Sequence, residues 1–222
     1  MGLYDDIRIT AHTLIAGTTG SGKSTALHSF ICDTINKYNE RVVKFVIIDL
    51  KRVEMARYKK IKHTLDYANT PKGATEVLEK CELFMRMRYK EMEMQGLTQS
   101  DKTHIYIVID ELADLLATSK KAMEQIASIG RLGRAANIHL ILATQSPSRK
   151  TLPAIIQQNI TLTVALKCKN AIESRQVLGI SGAEQLRICG DCIIWNGAIG
   201  YRQDHINKTS DAEIKQTIEK DL

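Results

Sequence analysis

The chain has 222 residues, 44% of them hydrophobic and 25% charged, a size and balance that suit one sizeable α/β unit with a buried core. An odd number of cysteines, 5, argues against a disulfide framework, and no apolar run approaches the roughly 20 residues of a membrane span. With no signal-peptide pattern at the start, a cytoplasmic location without direct membrane insertion is expected, and the net charge of +6 is compatible with a nucleic-acid partner without requiring one.

In chain order, the first strand is predicted at residues 12–16. Directly after it, Gly17-Thr18-Thr19-Gly20-Ser21-Gly22-Lys23-Ser24 is a complete G-x-x-x-x-G-K-[ST] loop, followed by Thr25 and a helix predicted over 24–38. Strand, loop and helix N-terminus together form a phosphate cradle, because glycines let backbone N–H groups face the phosphates while the helix dipole adds positive potential. In that setting residues 17–25 are candidate nucleoside-triphosphate contacts. Lys23 would reach the β- and γ-phosphates, and the Ser24 hydroxyl would ligate Mg²⁺.

A strand is predicted at 42–50 and a long helix at 73–94, with Pro71 where a helix start tolerates it. In that helix Val77, Leu78, Cys81, Leu83, Phe84, Met87 and Met94 recur at helical spacing and are expected to pack in the core. The next strand, 105–109, ends in Asp110-Glu111. An apolar strand ending in two carboxylates is the Walker B arrangement: Asp110 would hold Mg²⁺, and Glu111 would orient and activate the attacking water. A glutamate directly after that aspartate points to an ATPase with a built-in base rather than a nucleotide kinase.

A helix over 120–136 and a strand over 138–143 follow, the strand leading into Thr144-Gln145, where Gln145 would face the γ-phosphate. Beyond lie a strand at 162–166, a helix at 171–178, a strand at 193–195 and an amphipathic, peripheral helix at 211–220. The alternation of short apolar runs with longer helical patterns predicts a mainly parallel sheet covered on both faces. Cys189 and Cys192 form a C-x-x-C that lacks the second pair or the histidines of a zinc site.

Taken together, these stretches resemble the motor domain of the FtsK/SpoIIIE DNA translocases, within the HerA/FtsK group of P-loop ATPases. The resemblance rests on the loop with its preceding Leu14-Ile15-Ala16, on Val46-Ile47-Ile48-Asp49-Leu50-Lys51, and on Asp110-Glu111-Leu112-Ala113-Asp114-Leu115. It continues through Arg134-Ala135-Ala136-Asn137-Ile138-His139-Leu140, Ala143-Thr144-Gln145-Ser146-Pro147-Ser148, Ser174-Arg175 and Gly190-Asp191. It implies a RecA-like P-loop NTPase fold over the whole chain, a hexameric ring and ATP sites between subunits. By position, Arg134 matches the arginine finger that would reach the nucleotide of a neighbouring subunit, with Arg131 as its fallback. The same match makes Cys189 and Cys192 small apolar fillers beside a Gly-Asp step.

The resemblance also implies duplex DNA as the substrate, moved by basic loops, and here the chain departs from the family. Ser146 stands where the family commonly has arginine, and Gln157 and Ala171 where it has lysine. Arg175 matches, and Arg149, Lys150, Lys167 and Lys169 lie near enough to supply phosphate contacts from shifted positions. No additional domain or winged-helix module is expected around this motor, and a membrane or packaging protein is a possible partner. The competing readings are an FtsK-like protein-secretion ATPase acting on a polypeptide and a nucleotide-dependent assembly module.

Overall fold

The computed structural model describes residues 3–145, 147–148 and 151–222. Its strands are β1 (His12–Ala16), β2 (Val43–Ile48), β3 (Thr64–Ala68), β4 (His104–Ile109), β5 (Ile138–Thr144), β6 (Leu162–Ala165), β7 (Asp191–Asn196) and β8 (Gly200–His205). The helices are α1 (Leu3–Ile9), α2 (Lys23–Lys37), α3 (Pro71–Gln95), α4 (Leu112–Thr118), α5 (Lys120–Leu132), α6 (Ala154–Gln157), α7 (Ala171–Leu178) and α8 (Asp211–Lys220). All eight strands join one sheet in the order β3-β2-β4-β5-β1-β6-β7-β8. The first six run parallel, and β7 and β8 extend the sheet antiparallel at one edge.

The inner strands are apolar because both of their faces are covered, and neighbouring residues alternate between two cores as the pleat demands. Leu14, Val46, Ile107 and Leu142 pack under α3, α4, α5, α6 and α7. Their neighbours Ile15, Ile47, Val108 and Ile141 pack on the other face under α1, α2 and α8. Helix ends are set locally. Thr70 accepts from the Gly73 N–H with Pro71 at the first helical position, and Ser210 and Glu213 form a capping box at α8.

The structure corrects the sequence reading at three points. The helix expected to reach residue 136 ends at Leu132, and the chain then turns through residues 133–137. The turn brings Gly133 so near the backbone that a Cβ there would lie 2.4 Å from the Ile138 carbonyl oxygen. Of the stripe expected in the core, Val77, Leu78 and Cys81 are buried together with Met85 and Met92, whereas Leu83, Phe84, Met87 and Met94 are exposed. A step of two residues turns a helix by roughly 200°, so Met87 and Met94 face away from the sheet that holds Met85 and Met92. Cys192 is buried, but Cys189 is exposed and is no core filler.

Two buried histidines at the lower edge of the sheet make stability pH-dependent. His12 accepts a hydrogen bond from the Leu140 N–H at 3.0 Å, and His139 stacks on Tyr106 with centroids 4.8 Å apart. Burial pushes His12 down to about 4 and His139 to about 3. Both imidazoles are therefore neutral in the fold while the unfolded chain takes up protons below pH 6.5, so stability is intact above that value and falls as the pH drops. Between pH 6.5 and 5 the expected loss is about 2 kcal/mol for each histidine. Urea melts across this range would measure it, and His139→Gln should reduce the slope, with His28 and His104, also lowered by burial, contributing to what remains; equal midpoints at pH 7 and 5 would contradict neutral burial.

Candidate nucleotide site

The carboxyl ends of β1, β2, β4, β5 and β6 lie along one edge of the sheet, the edge at which open α/β sheets bind their ligands. The phosphate loop leaves β1 at this edge, Asp49 leaves β2, Asp110 leaves β4 and Gln145 leaves β5. Since β5 lies between β1 and β4, the loop and the acidic pair face each other across one strand.

The loop is tethered on both sides. The Gly17 N–H donates to the Thr144 carbonyl at 3.2 Å and the Thr18 N–H to the Lys167 carbonyl at 2.9 Å. Gly22, with φ at +107°, ends the loop in a conformation that side chains rarely adopt, and it occupies the N-cap of α2 without a side-chain cap. The first-turn N–H groups of α2 are thus left for a ligand, and the buried Ser21 hydroxyl beside them has no hydrogen-bond partner among the described residues. Thr19 and Gly20 are exposed, Ser24 and Thr25 half-buried. An anion of phosphate type fits this cradle.

Lys23 is buried, 4% exposed. Its Nζ donates to the Asp110 carbonyl at 2.6 Å and to Asp110 Oδ1 at 3.0 Å, with Asp110 itself 2% exposed. The ammonium resting on the carboxylate marks Asp110 as a negative group turned toward the loop's lysine. Ser24 and Asp110 are the oxygen donors within the site that suit Mg²⁺.

Glu111, 6% exposed, sits at the start of α4 with its carboxylate surrounded by donors. Oε1 accepts from the Thr144 hydroxyl at 2.9 Å, and both oxygens accept from the Gln145 N–H at 3.2 Å. Oε2 also faces Lys51 Nζ at 3.4 Å. The Gln145 side chain is tied to the loop, accepting from the Thr19 hydroxyl at 2.8 Å. Lys23, Asp110, Glu111 and Gln145 therefore lie together at the loop end of the sheet.

Lys51 carries no role in the sequence reading, although its signal is present. The run Ile47-Ile48-Asp49 repeats, on the neighbouring strand, the apolar-strand-to-carboxylate pattern of Ile109-Asp110. Asp49 is fully buried and accepts from the N–H groups of Arg52 and Met55, which folds the turn that aims Lys51 at Glu111.

The remaining candidates lie apart. Arg134 is exposed in the turn before β5, and Arg131 is exposed in the last turn of α5. Both sit at the opposite edge from the loop, separated from it by the seven residues of β5, a span of about 20 Å. Neither guanidinium has a hydrogen bond or ion pair among the described residues, and neither can reach the phosphate loop of its own chain. Lys167 and Lys169 are exposed on the segment after β6, beside the phosphate loop, and Arg175 is exposed on α7. Arg149, Lys150 and Ser146 lie outside the described residues. No helix among the described residues is long and apolar enough to cross a membrane.

With this geometry established, comparison with known proteins is informative. The profile of the FtsK/SpoIIIE family matches residues 3–107 and 98–149. The DNA translocase FtsK of Chlorobaculum tepidum is 35% identical over 90% of the chain, and the DNA translocase SftA of Bacillus subtilis 33% over 96%. The chain spans only 28% and 24% of the lengths of these two relatives. Among solved structures, the pCW3 conjugation coupling protein TcpA with ATPγS superposes with a TM-score of 0.84 at 20% identity, covering 96% of this chain and 65% of that one. EssC (ATPases 2 and 3) of Geobacillus thermodenitrificans superposes with a TM-score of 0.81 at 15% identity, covering 100% of this chain and 44% of that one. Both likenesses identify the fold, that of P-loop ATPases.

Proposed function

Because the chain belongs to the FtsK/SpoIIIE family, we propose that it is an ATP-hydrolysing motor of the cytoplasm that moves double-stranded DNA. In this reading residues 1–222 act as one RecA-like motor unit, and copies assemble into a ring, a hexamer by family resemblance, with ATP at the subunit interfaces. The observation that carries the proposal is the buried Lys23–Asp110 pair at the foot of an uncapped phosphate loop, with Glu111 hydrogen-bonded one residue further on.

Phosphates entering the loop give Lys23 a second set of anionic partners and draw its ammonium off Asp110. Ser24 and Asp110 would then be the residues that hold Mg²⁺, which would supply charge neutralisation to the phosphates. Glu111 takes the proton of the attacking water once its carboxylate is released from at least one of Thr144, Gln145 and Lys51. Gln145, joined to Thr19, places an amide at the γ-phosphate end of the loop.

Arg134 supports the ring. It is exposed, without a partner among the described residues, at the wrong edge for its own nucleotide, so its guanidinium stabilises transition-state charge only across an interface. Arg134→Ala should leave ATP affinity within about 3-fold of wild type while turnover of the assembled protein falls by about 10³-fold or more. Mixing Arg134→Ala with Lys23→Ala subunits should restore part of the activity, because one interface type then keeps both parts. No recovery on mixing would place the finger elsewhere.

Duplex DNA is favoured by the named relatives at 35% and 33% identity, and Lys169, Arg175, Arg149, Lys150 and Lys167 are the proposed phosphate contacts. The deciding experiment is steady-state ATP hydrolysis across protein concentration, with and without long linear duplex DNA at low and moderate salt. Salt-sensitive stimulation is expected. Concentration-dependent hydrolysis indifferent to DNA would replace DNA by a polypeptide substrate, the protein-secretion reading. A membrane or packaging protein that anchors the ring completes the proposed partners.

A further inference from the structure

The turn at residues 133–137 leaves Arg134 exposed and buries Ala136 and Asn137, and every carbonyl along it has a donor within the protein. The Leu132 carbonyl accepts from the Tyr89 hydroxyl at 2.9 Å, and the Gly133 carbonyl from the Ile138 N–H at 2.9 Å. The Arg134 and Ala135 carbonyls accept from the N–H groups of Asn137 and Ser100, at 3.2 and 2.8 Å. The Ala136 carbonyl accepts from Arg88 Nη1 at 2.5 Å, and the Asn137 carbonyl from the Ile105 N–H at 2.9 Å. Connecting segments ordinarily move more than the elements they join, because much of their backbone is held only by water. This one is held throughout.

Two of these donors are neighbouring side chains of α3, and Arg88 reaches furthest. It also donates to the Asn137 carbonyl from Nη1 at 3.3 Å and to the Thr103 carbonyl from Nη2 at 2.8 Å. Arg88 thereby joins the turn to residues 99–103, which grip it from the other side: Asn137 Nδ2 donates to the Ser100 and Lys102 carbonyls at 2.8 and 3.0 Å. Asn137 itself has φ at +52°, in the left-handed region that asparagine tolerates better than most side chains. Arg88 is half-buried, burial pushes its pKa down, and no carboxylate forms an ion pair with it among the described residues. A desolvated cation that meets only neutral carbonyls is a weak source of stability. What the arrangement fixes is the root of the exposed Arg134 side chain.

We infer that Arg88 is a positioning residue for Arg134: together with Tyr89 it holds the turn in the arrangement from which the Arg134 guanidinium reaches a neighbouring subunit's nucleotide. The inference rests on the reading of Arg134 as a group that acts across a subunit interface. A long side chain delivers its charge accurately only from a fixed root, and a misplacement of about 1 Å can cost about 10²-fold in rate. Arg88 lies at the edge of the sheet opposite the phosphate loop, so its effect falls on turnover and not on nucleotide affinity.

Steady-state ATP hydrolysis and nucleotide binding by the assembled full chain test it. Arg88→Met should lower kcat by about 10²-fold while KM and Kd for ATP stay within about 3-fold. Arg88→Lys keeps a donor for one of the carbonyls and should recover part of the loss, and Tyr89→Phe should lower kcat by about 3-fold. Added to Arg134→Ala, neither Arg88→Met nor Tyr89→Phe should reduce kcat further, since the group they position is already gone. Mixing Arg88→Met with Lys23→Ala subunits should restore part of the turnover, because an intact phosphate loop then meets an intact turn. Wild-type kcat in Arg88→Met beside an inactive Arg134→Ala would overturn the inference and spare the role of Arg134. A loss that adds fully to that of Arg134→Ala, or that does not recover on mixing, would also overturn it, being the mark of a merely structural role. Full turnover by Arg134→Ala itself would overturn both. Thermal melts show whether Arg88→Met folds; if it does not, Tyr89→Phe, which removes a single hydroxyl, decides by the same two comparisons.

Discussion

Lys23→Ala is expected to abolish nucleotide binding, with at least a 100-fold rise in Kd, and also to lower the unfolding midpoint of the nucleotide-free protein. The second effect follows from where the ammonium rests. Lys23 and Asp110 are both almost fully buried and paired at 3.0 Å, so removing one leaves a charge in the interior with no partner. Such a loss costs about 3–5 kcal/mol when the orphaned group stays ionised, and less if Asp110 takes up a proton. The double variant Lys23→Met/Asp110→Asn should regain most of the stability and none of the binding. Urea titration and fluorescent-nucleotide binding measure the two separately. Normal ATP affinity in the single variant would remove the loop assignment.

Glu111→Gln should leave ATP binding close to wild type and reduce turnover by about 10²- to 10⁴-fold, the usual contribution of a positioned base. The amide still accepts from Thr144 and Gln145, so the local packing is kept and only proton abstraction is lost. A single-turnover measurement should find ATP bound and uncleaved. Turnover within a few-fold of wild type would place the base elsewhere. Lys51 allows a finer comparison: Lys51→Met loosens one of the contacts on the Glu111 carboxylate without removing it.

The sequence carries the site more fully than the sheet around it. Phosphate loop, Asp110-Glu111 and Gln145 are legible because each is a short motif at the end of an apolar strand, and parallel strands bring such ends to one edge. β3 and β8 are not visible as strands: β3 is an edge strand only partly buried, and β8 reads Gly-Tyr-Arg-Gln-Asp-His at the other rim of the sheet, where half of its residues face water. Met87 and Met94 misled because a helical stripe shows periodicity but not which side the sheet takes. Lys51 was hidden for a different reason. Its meaning arises from the pairing of β2 with β4, and these strands lie more than fifty residues apart in the chain.

β5 joins two groups that have been described separately. Just before its first residue stands Arg134, and at its last residues stand Thr144 and Gln145, which grip Glu111. The strand between is buried throughout and hydrogen-bonded to β1 on one side and β4 on the other, so it has no slack to absorb movement along its axis. It is a tie rod. A neighbour that pulled on the turn at Arg134 would pull on the hydrogen bonds at Glu111, and contacts of 2.9–3.2 Å are lost within a displacement of an ångström or so. In the proposed ring, rigidity along this one strand would give each site a mechanical line to the state of its neighbour's nucleotide, over a distance that no single side chain bridges.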